Sequence, residues 1–493
     1  MNWASIQSVP QLYEKAQKAF EQWSEMDLKK RISLIRRLRF VITENLDEIV
    51  DAITKDTGKV ELEALSADIL PVLDGLEYIE KNATKILSPK RRKTPLLLLN
   101  KRSFVEYMPR GVVLVISPWN YPFQLSMIPV VSAIVSGNCA ILKPSEVTPL
   151  VGAVIENLFH QANFTANVVQ VAQGDGSLGS ALIDFGPDYI FFTGSVRTGK
   201  IVQEKAARKL IPTTLELGGK DPMIVFADAN IDRAVDGALW GAFTNCGQVC
   251  MSVERLFVQN SIYQQFVDKI VEKTNALTQG SGDFDLGSLT LEQQKNIVKE
   301  HVQDALNKGA KMLTGLPPEA WSGDLFIRPI ILTNVNQDMK ILSEETFGPV
   351  LPIIPFDTEE EVVLLANKSN YGLSSSVWTS DQERARRIAK KLLAGNVVIN
   401  DVIVSVANHY LPFGGVKQSG IGRYHSEIGL RNFCHEKAVL IDKGKRPFEL
   451  QWYPYKDKYP AFYTLIKSLY GKRRAWLKVA NSGLKLLKQA KKK

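Results

Sequence analysis

The feature that most constrains the fold is a series of short apolar runs that alternate with helical stretches. Between residues 111 and 229 these runs read GVVLVISP, CAILKPS, NVVQVAQGD, YIFFTGS, TTLELGG and PMIVFADA. Apolar runs of this length that are followed by Gly, Pro, Ser or Asp are typical of buried strands. Strands separated by helices form mostly parallel sheets, so the sequence predicts an α/β fold.

The N-terminal region adds helices and one further strand. The stretches VPQLYEKAQKAFEQW and MDLKKRISLIRRLRFVITENLDEIVDAITKDTG place apolar residues three and four apart, which predicts helices. The stretch LLLLNKRSFVEYMP indicates a strand. A chain of 493 residues is long enough for about two or three domains. Because no Gly/Ser-rich linker separates them, we expect the domains to pack against each other.

Residues 111–142 carry no charged side chain and could be mistaken for a membrane span. A span needs about 20 mainly apolar residues. Here Pro118, Pro122 and Pro129 interrupt the run, together with several polar residues. We therefore predict a buried strand, a loop, a buried helix and a second strand.

The net charge of +9 is concentrated near the C-terminus. Ten Lys or Arg and no Asp or Glu lie between residues 460 and 493, which leaves a net charge of −1 for the rest of the chain (+9 less ten). A body that is close to neutral gives no reason to expect nucleic-acid binding.

The C-terminal tail also shows helical periodicity. Its apolar face comprises Phe462, Leu465, Ile466 and Leu469, and then Trp476, Val479, Ala480, Gly483, Leu484 and Leu487. An apolar face that contains aromatic residues and is flanked by Lys and Arg predicts an interfacial helix on anionic lipid. The alternative is a helix that docks on the protein itself or on a neighbouring subunit.

Two of the four cysteines, Cys246 and Cys250, lie four residues apart in FTNCGQVCMS. Four cysteines are too few for a disulfide scaffold, and the N-terminal residues lack the pattern of a signal peptide, so we expect a cytoplasmic protein. A zinc site needs about four ligands, and the sequence offers no second ligand pair, so no metal site is predicted. Two alternatives stay open, a buried inert thiol and an activated nucleophile.

Two short segments are candidates for nucleotide binding. YIFFTGSVRTGK places Gly194, Ser195 and Gly199 between a strand and a helix start, where backbone amides favour phosphate. CAILKPSE places Lys143 and Glu146 after another strand, and Glu can bind ribose hydroxyls. Each segment also fits an ordinary turn, and the glycine spacing is not that of the dinucleotide fingerprint.

Two further residues are candidates for catalysis. Glu216 in LELGGK is a carboxylate in an apolar strand, where burial is costly without a partner or a function. Asn120 in SPWNYP lies in a rigid loop that could hold an amide donor for an oxyanion. Either residue could instead be structural, with Asn120 serving as a turn or cap residue.

Taken together, the motifs resemble the aldehyde dehydrogenase superfamily. Seven motifs occur here in the order found in that superfamily: SPWNYP, KPSE, FTGSVRTG, LELGGKDP, GQVCMSVERLFV, EETFGPV and LPFGGVKQSGIGRYH. The resemblance extends from about Gln11 to Asp442. The short N-terminus, NDV at residues 400–402 and GVKQSGIGRYH are similar to the class 3 and fatty aldehyde dehydrogenase branch. The resemblance implies a Rossmann-like NAD-binding domain, a second α/β catalytic domain and a small bridging β element.

The resemblance also implies a role for each candidate residue. Cys250 matches the nucleophile, Glu216 the general base and Asn120 the oxyanion amide, whereas Cys246 matches no catalytic position and is expected to be a packed thiol. The implied cofactor contacts are Lys143 and Glu146 for the adenosine ribose, Gly194, Ser195 and Gly199 for the pyrophosphate, and Glu345 and Phe347 for the nicotinamide ribose and ring.

The implied reaction is oxidation of an aldehyde to a carboxylic acid through a thiohemiacetal and a thioester on Cys250. NAD is expected first, because Glu146 would repel a 2′-phosphate, but NADP as well, because Arg197 could bind one. The general base Glu216 favours hydrolysis over the first alternative, a CoA-acylating enzyme. The second alternative is a non-catalytic membrane-binding protein that reuses the fold.

The substrate is expected to be a medium- or long-chain aliphatic or apocarotenal-type aldehyde, in a tunnel walled by Tyr121, Trp240, Phe243 and Met251. We also expect a homodimer with peripheral contact to anionic membranes. The predicted limits are 1–214 for the NAD-binding domain, with a bridging hairpin at 93–110, 215–418 for the catalytic domain, 419–445 for an oligomerisation segment, and 446–493 for the basic amphipathic tail.

Overall fold

The computed structural model describes residues 3–98, 100–321 and 323–491. Its α-helices are α1 (Val9–Glu25), α2 (Leu28–Glu44), α3 (Leu46–Thr57), α4 (Glu61–Glu63), α5 (Leu70–Leu87), α6 (Gln124–Val135), α7 (Pro149–Gln161), α8 (Gly176–Phe185), α9 (Val196–Ala207), α10 (Ile231–Phe243), α11 (Tyr263–Ala276), α12 (Glu292–Asn307), α13 (Lys340–Ser343), α14 (Glu359–Asn367), α15 (Gln382–Lys391), α16 (Ser426–Asn432), α17 (Tyr459–Tyr470) and α18 (Trp476–Lys491). A π-helical segment, Ala64–Ile69, joins α4 to α5.

The strands are β1 (Lys90–Arg92), β2 (Lys101–Pro109), β3 (Val112–Ile116), β4 (Cys139–Lys143), β5 (Val169–Val171), β6 (Tyr189–Thr193), β7 (Thr213–Glu216), β8 (Asp221–Val225), β9 (Val253–Gln259), β10 (Lys311–Met312), β11 (Ile330–Thr333), β12 (Val350–Phe356), β13 (Ser376–Trp378), β14 (Val398–Ile399), β15 (Gly420–Ile421) and β16 (Cys434–Asp442). Each of the six apolar runs that predicted a strand contains one, β3 to β8.

Three sheets organise these strands. The first has the order β15-β7-β6-β3-β4-β5 and is parallel except for β15. The second has the order β10-β11-β12-β9-β8-β13-β14 and is parallel except for β10. The third is small, with the order β1-β2-β16. The predicted α/β fold is confirmed, and strands such as β4 are buried throughout because helices cover both faces of a parallel sheet.

The uncharged stretch folds as predicted, as β3, a loop, the buried helix α6 and β4. In the part of the chain that the structure describes, no helix is long and apolar enough to cross a membrane.

The expectation of a strand over LLLLNKRSFVEYMP is wrong in its first half. Leu96–Leu98 forms a 3-10 turn, and the strand begins only at Lys101. The reason is register: β1 pairs with residues 103–105, so the leucines lie in the connection between the two strands. Leu96 and Leu97 are exposed there.

The chain forms two compact units. The first comprises Met1–Ser88 and Glu106–Lys437, and the second comprises Pro89–Val105 and Ala438–Lys493. In the second unit, α17 packs on α18 around Ala461, Leu465 and Leu486. The domain limits given by the sequence, which divide the first unit further, stay a prediction.

Candidate active site

Cys250 follows a tight turn that precedes β9. Asn245, Cys246 and Gly247 all have left-handed backbone angles, with φ of 50°, 52° and 70°. Such conformations cost energy for residues other than glycine and are concentrated at functional sites. At Gly247 a Cβ atom would lie 2.3 Å from the carbonyl oxygen of Gly348, so only glycine fits.

Two glycines after β7 make room for the nucleophile segment and for a carboxylate. A Cβ atom on Gly219 would lie 2.2 Å from the carbonyl oxygen of Cys250, and one on Gly218 would lie 2.1 Å from Oε2 of Glu345. The Gly219 amide also donates a 2.9 Å hydrogen bond to Oε1 of Glu345. The pair of glycines in LELGGK therefore brings β7, Cys250 and Glu345 together.

Glu216 ends β7 and is 5% exposed. Among the described residues, neither of its carboxylate oxygens has a hydrogen-bond partner. Burial raises the pKa of this carboxyl well above its usual range, and the positive charge of Arg423 opposes the shift. An unpaired, buried carboxyl of this kind is suited to accept a proton from water, which is the role expected of Glu216.

Hydrogen bonds hold Asn120 at both its side chain and its backbone carbonyl. Its side-chain Nδ2 donates a 2.9 Å hydrogen bond to the carbonyl oxygen of Gln248, two residues before Cys250. Its own carbonyl oxygen accepts hydrogen bonds from Nζ of Lys59 (2.8 Å) and from Nδ2 of Asn245 (3.1 Å). An amide nitrogen carries two hydrogens, so one remains to meet an oxyanion.

Lys59 and its partners form an anchor that the sequence motifs did not reveal. The Lys59 ammonium lies 3.2 Å from Oδ2 of Asp68, and both side chains are fully buried. Asp68 also accepts a 2.7 Å hydrogen bond from the amide of Gln124 at the start of α6. Glu63 accepts hydrogen bonds from the Thr244 hydroxyl and the Asn245 amide. The signal in the sequence was the segment TGKVELEALSAD, which contains four charged residues between the end of α3 and the start of α5.

The candidate residues for the adenosine ribose and the pyrophosphate lie at or after the carboxyl ends of β4 and β6, the two strands that flank β3 in the first sheet. Lys143 ends β4 and is buried except for 4% of its surface, and its Nζ donates a 2.7 Å hydrogen bond to Glu146. Ser195 caps α9 by accepting a hydrogen bond from the Thr198 amide. At Gly199 a Cβ atom would lie 2.5 Å from Leu217, so α9 packs closely there. An ammonium, a carboxylate and a helix N-terminus match the ribose and the pyrophosphate of NAD in chemistry.

Glu345 and Phe347 lie in a loop that a buried ion pair positions. Glu254, which is paired with Lys220, accepts hydrogen bonds from the amides of Thr346 and Phe347, each 2.8 Å long. Phe347 packs edge-on against Trp119. Burial, reinforced by the negative charge of Glu254, raises the pKa of Glu345 to about 8.

A cavity of about 240 Å³ reaches Cys250 and Glu216. Of the four residues expected to line a tunnel, Tyr121, Trp240 and Met251 border it. Phe243 instead is buried in the apolar core that contains β8 and β9. Leu125, Phe413 and Tyr424 also border the cavity and were not singled out from the sequence.

The two thiols differ in what surrounds them. Cys250 is partly exposed and borders the cavity, whereas Cys246 is buried and its Sγ donates to the carbonyl oxygen of Gly287. Burial raises the pKa of both thiols, and the negative charges of Glu345, Asp221 and Glu216 add to the effect at Cys250. Cys250 is therefore a thiol that needs a base or a nearby positive charge to ionise. Among the described residues, no three His, Cys, Asp or Glu side chains are grouped to hold a metal ion.

Comparison with known proteins agrees with this geometry. The sequence profile of the aldehyde dehydrogenase family matches residues 2–439. The chain is 42% identical over 466 residues to 4,4'-diapolycopene aldehyde oxidase of Methylomonas sp, covering 94% of this chain and 87% of the relative. It is 36% identical over 431 residues to a putative succinate-semialdehyde dehydrogenase [NADP(+)] of Mycobacterium bovis, covering 87% of this chain and 83% of the relative.

Among solved structures, the fold is similar to an NAD+ complex of an aldehyde dehydrogenase from Bacillus cereus. That comparison gives a TM-score of 0.85 at 34% identity and covers 90% of each chain. The family match spans most of the chain, the Bacillus cereus structure is an NAD+ complex, and the Mycobacterium bovis relative is named for NADP(+). The chain belongs to the aldehyde dehydrogenase family and is an NAD(P)-dependent aldehyde dehydrogenase.

Proposed function

We propose that the protein oxidises medium- or long-chain aliphatic or apocarotenal-type aldehydes to carboxylic acids, with Cys250 as nucleophile. The observation that carries the proposal is the wall of the cavity at Cys250: the described residues that border it include no Lys or Arg. A cation is the partner that best offsets the buried carboxylate of a short semialdehyde, whereas an apolar chain needs only apolar contact. The 42% identical relative from Methylomonas is named for an apolar aldehyde, which supports the same class.

In the first step the Cys250 thiolate adds to the aldehyde carbon, and the carbonyl oxygen becomes an oxyanion. The free hydrogen of the Asn120 amide is the donor that would hold this oxyanion, because hydrogen bonds to Gln248 and Lys59 fix its loop. The product is a thiohemiacetal on sulfur. When bound, NAD(P) supplies the acceptor for the hydride whose loss leaves a thioester.

Glu216 completes the reaction. Its carboxylate takes a proton from water, the resulting hydroxide attacks the thioester carbon, and Cys250 leaves as thiolate. Glu216 and Cys250 border the same cavity, which supports the role of Glu216 as the base for thioester hydrolysis. The presence of this base is what favours a free acid over transfer of the acyl group to CoA.

The cofactor would be held by Lys143 and Glu146 at the adenosine ribose, by the Gly194–Ser195 turn and Gly199 at the pyrophosphate, and by Glu345 and Phe347 at the nicotinamide. The buried ammonium of Lys143 and the N-terminus of α9 provide the positive potential that a dinucleotide needs.

The test is NAD reduction by the purified protein with aldehydes from two to sixteen carbons and an apocarotenal. We expect kcat/KM to rise with chain length, Cys250→Ala to remove turnover, and added CoA to leave the rate unchanged. Highest activity with short or charged aldehydes would contradict the substrate class and leave the reaction standing. A rate that depends on CoA would show that the acyl group is transferred to CoA and not hydrolysed.

We also propose that the tail makes peripheral contact with anionic membranes. Tyr459, Tyr463, Ile466 and Tyr470 recur at helical spacing along α17 and are all more than half exposed. This exposed stripe differs from the expected face, because Leu465 and Leu469 are buried. Aromatic residues beside Lys467 and the basic segment 472–474 suit the interface of an anionic bilayer.

Sedimentation with vesicles tests the membrane contact. We expect binding to vesicles rich in phosphatidylglycerol that weakens in high salt, little binding to phosphatidylcholine, and loss of binding on Tyr463→Glu. Leu364→Glu, at an exposed position in the first unit, is the matched control. Equal binding of both variants would contradict the role of the stripe.

A homodimer is the third proposal. In the order β1-β2-β16, β16 is an edge strand, and Leu440 and Ile441 on it are about half exposed. Exposed apolar edges of this kind favour pairing with another strand, here a second copy of the chain. Light scattering should give twice the chain mass of 55.0 kDa, and Leu440→Lys should shift the protein to the single-chain mass.

A further inference from the structure

The cavity at Cys250 is too small for the longer members of the proposed substrate class. A cavity of about 150 Å³ accommodates benzene, with six carbons. By proportion, the cavity of about 240 Å³ holds a chain of roughly ten carbons. The remainder of a longer aldehyde therefore has to lie elsewhere.

A second space adjoins the cavity. It is a groove of about 390 Å³ between α5 and residues 404–410. Val404 and Ala407 border both spaces, so the 3-10 turn Val404–Ala407 is the wall between them. The two spaces thus meet at a thin partition of small, exposed side chains.

The groove offers apolar contact at Tyr410, Tyr78 and Val404. The polar residues Asp74, Asn408 and His409 also border it. Tyr410 is 63% exposed and packs edge-on against Tyr78 of α5, with ring centroids 4.7 Å apart. Val404 is 44% exposed. Glu77 and Lys81 border the groove as a 2.8 Å ion pair, so their charges offset each other.

We propose that this groove is a subsite for the part of an aldehyde beyond about its tenth carbon, an inference that rests on the proposed function. The argument is adjacency: Val404 and Ala407 border both the cavity that reaches Cys250 and the groove, so only one turn separates the two spaces. A substrate chain that extends past the turn Val404–Ala407 would meet the rings of Tyr410 and Tyr78. The subsite sets how strongly the enzyme prefers long chains, and it leaves the chemistry at Cys250 unchanged.

The test compares chain-length profiles of three variants with that of the wild type, using aldehydes of six to sixteen carbons. Ala407→Trp fills the partition, and Tyr410→Asp removes apolar contact from the groove alone. Leu364→Trp, at a position 72% exposed on α14, is the control for an added surface tryptophan. Melting curves check that each variant folds.

For the wild type we expect kcat/KM to rise through fourteen carbons. Ala407→Trp and Tyr410→Asp should each lower kcat/KM at least tenfold for fourteen and sixteen carbons. For six carbons, Tyr410→Asp, which borders the groove and not the cavity, should change kcat/KM by less than twofold. The control should follow the wild type. This pattern would support the subsite.

Three other patterns overturn it. A wild-type profile that rises to ten carbons and then stays level, with the variants following it, rejects the subsite and keeps the proposed function. A loss that is equal at all lengths in Ala407→Trp and Tyr410→Asp means that the groove does not select for length. A wild type that prefers six carbons rejects both proposals.

Discussion

At the scale of single residues, the site depends on two acidic groups, the Cys250 thiol and the Glu216 carboxyl. Burial raises the pKa of both the Cys250 thiol and the Glu216 carboxyl. Groups that must give up a proton to act make activity rise with pH, and neighbouring charge decides where the rise occurs.

We expect Glu216→Gln to separate the two halves of the reaction. Without the base, the thioester forms and hydrolyses slowly, so mixing enzyme, NAD and aldehyde should give a burst of about one NADH per active site. The steady-state rate that follows should fall about 10²–10⁴-fold. Stopped-flow absorbance measures both phases, and Glu156→Gln on the exposed face of α7 is the control.

The same carboxyl predicts a pH dependence. Because Glu216 acts as a base only when deprotonated, and its pKa is raised, the hydrolytic rate should increase as the pH passes from the ordinary carboxyl range up to the raised pKa. In Glu216→Gln this increase of the rate with pH should disappear. If the rate of that variant still rises over the same pH range, the rise belongs to another group, such as Glu345, whose pKa is raised to about 8.

Lys59 is a positioning residue for Asn120. Lys59→Met leaves Asp68 buried without its cation, and breaking such a pair costs about 3–5 kcal/mol of folding stability. The lost hydrogen bond to the Asn120 carbonyl should also lower kcat more than it raises KM. Lys59→Arg should restore part of kcat. Lys55→Met, in an exposed ion pair, controls for loss of charge.

At the scale of elements, the turn before Cys250 shows how local geometry sets the site. Asn245 has φ of 50° and donates from Nδ2 to the carbonyl oxygens of Asn120 and Gln248. Asn tolerates the left-handed region better than other residues that have a side chain, and glycine tolerates it best.

Asn245→Ala and Asn245→Gly therefore separate backbone strain from hydrogen bonding. Both variants lose the amide contacts, but only alanine also bears the left-handed conformation, which costs about 1 kcal/mol. We expect Asn245→Ala to be the less stable by that amount in urea unfolding, and both to be slower enzymes. Equal stabilities would show that the turn relaxes to another conformation.

The helix before the site illustrates what an element-level pattern misses. The segment Glu61–Leu87 contains the π-helical stretch Ala64–Ile69, and Asp68 in it is fully buried against Lys59. π-Helical turns occur frequently at functional sites. Apolar periodicity predicts a helix but does not predict this local change in winding.

At the scale of the whole molecule, cofactor binding should stabilise the folded chain. A ligand at 100 times its Kd adds about 2.7 kcal/mol to the free energy of unfolding. We expect NAD to raise the Tm more than NADP does. Glu146→Gln should narrow that difference, because it removes a negative charge from the adenosine ribose site.

Lys143→Ala should reduce the Tm shift caused by either cofactor, and the matched control Glu156→Gln should keep the wild-type shifts. Differential scanning fluorimetry measures these shifts without turnover, so the result does not depend on the choice of aldehyde. An unchanged NAD shift in Lys143→Ala would place the cofactor elsewhere.

The sequence by itself determined the α/β class, the positions of β3 to β8 and the motifs that hold Cys250, Glu216 and Asn120. These features are local, because a strand run, a glycine turn or a motif with a reactive side chain is each encoded by about ten consecutive residues. The tertiary structure decided what depends on distant partners. It brought Lys59 to the backbone carbonyl of Asn120 and buried Phe243 in the core that contains β8 and β9. It also left Leu96–Leu98 in the connection between β1 and β2, and it put the exposed stripe of α17 opposite the face that packs on α18.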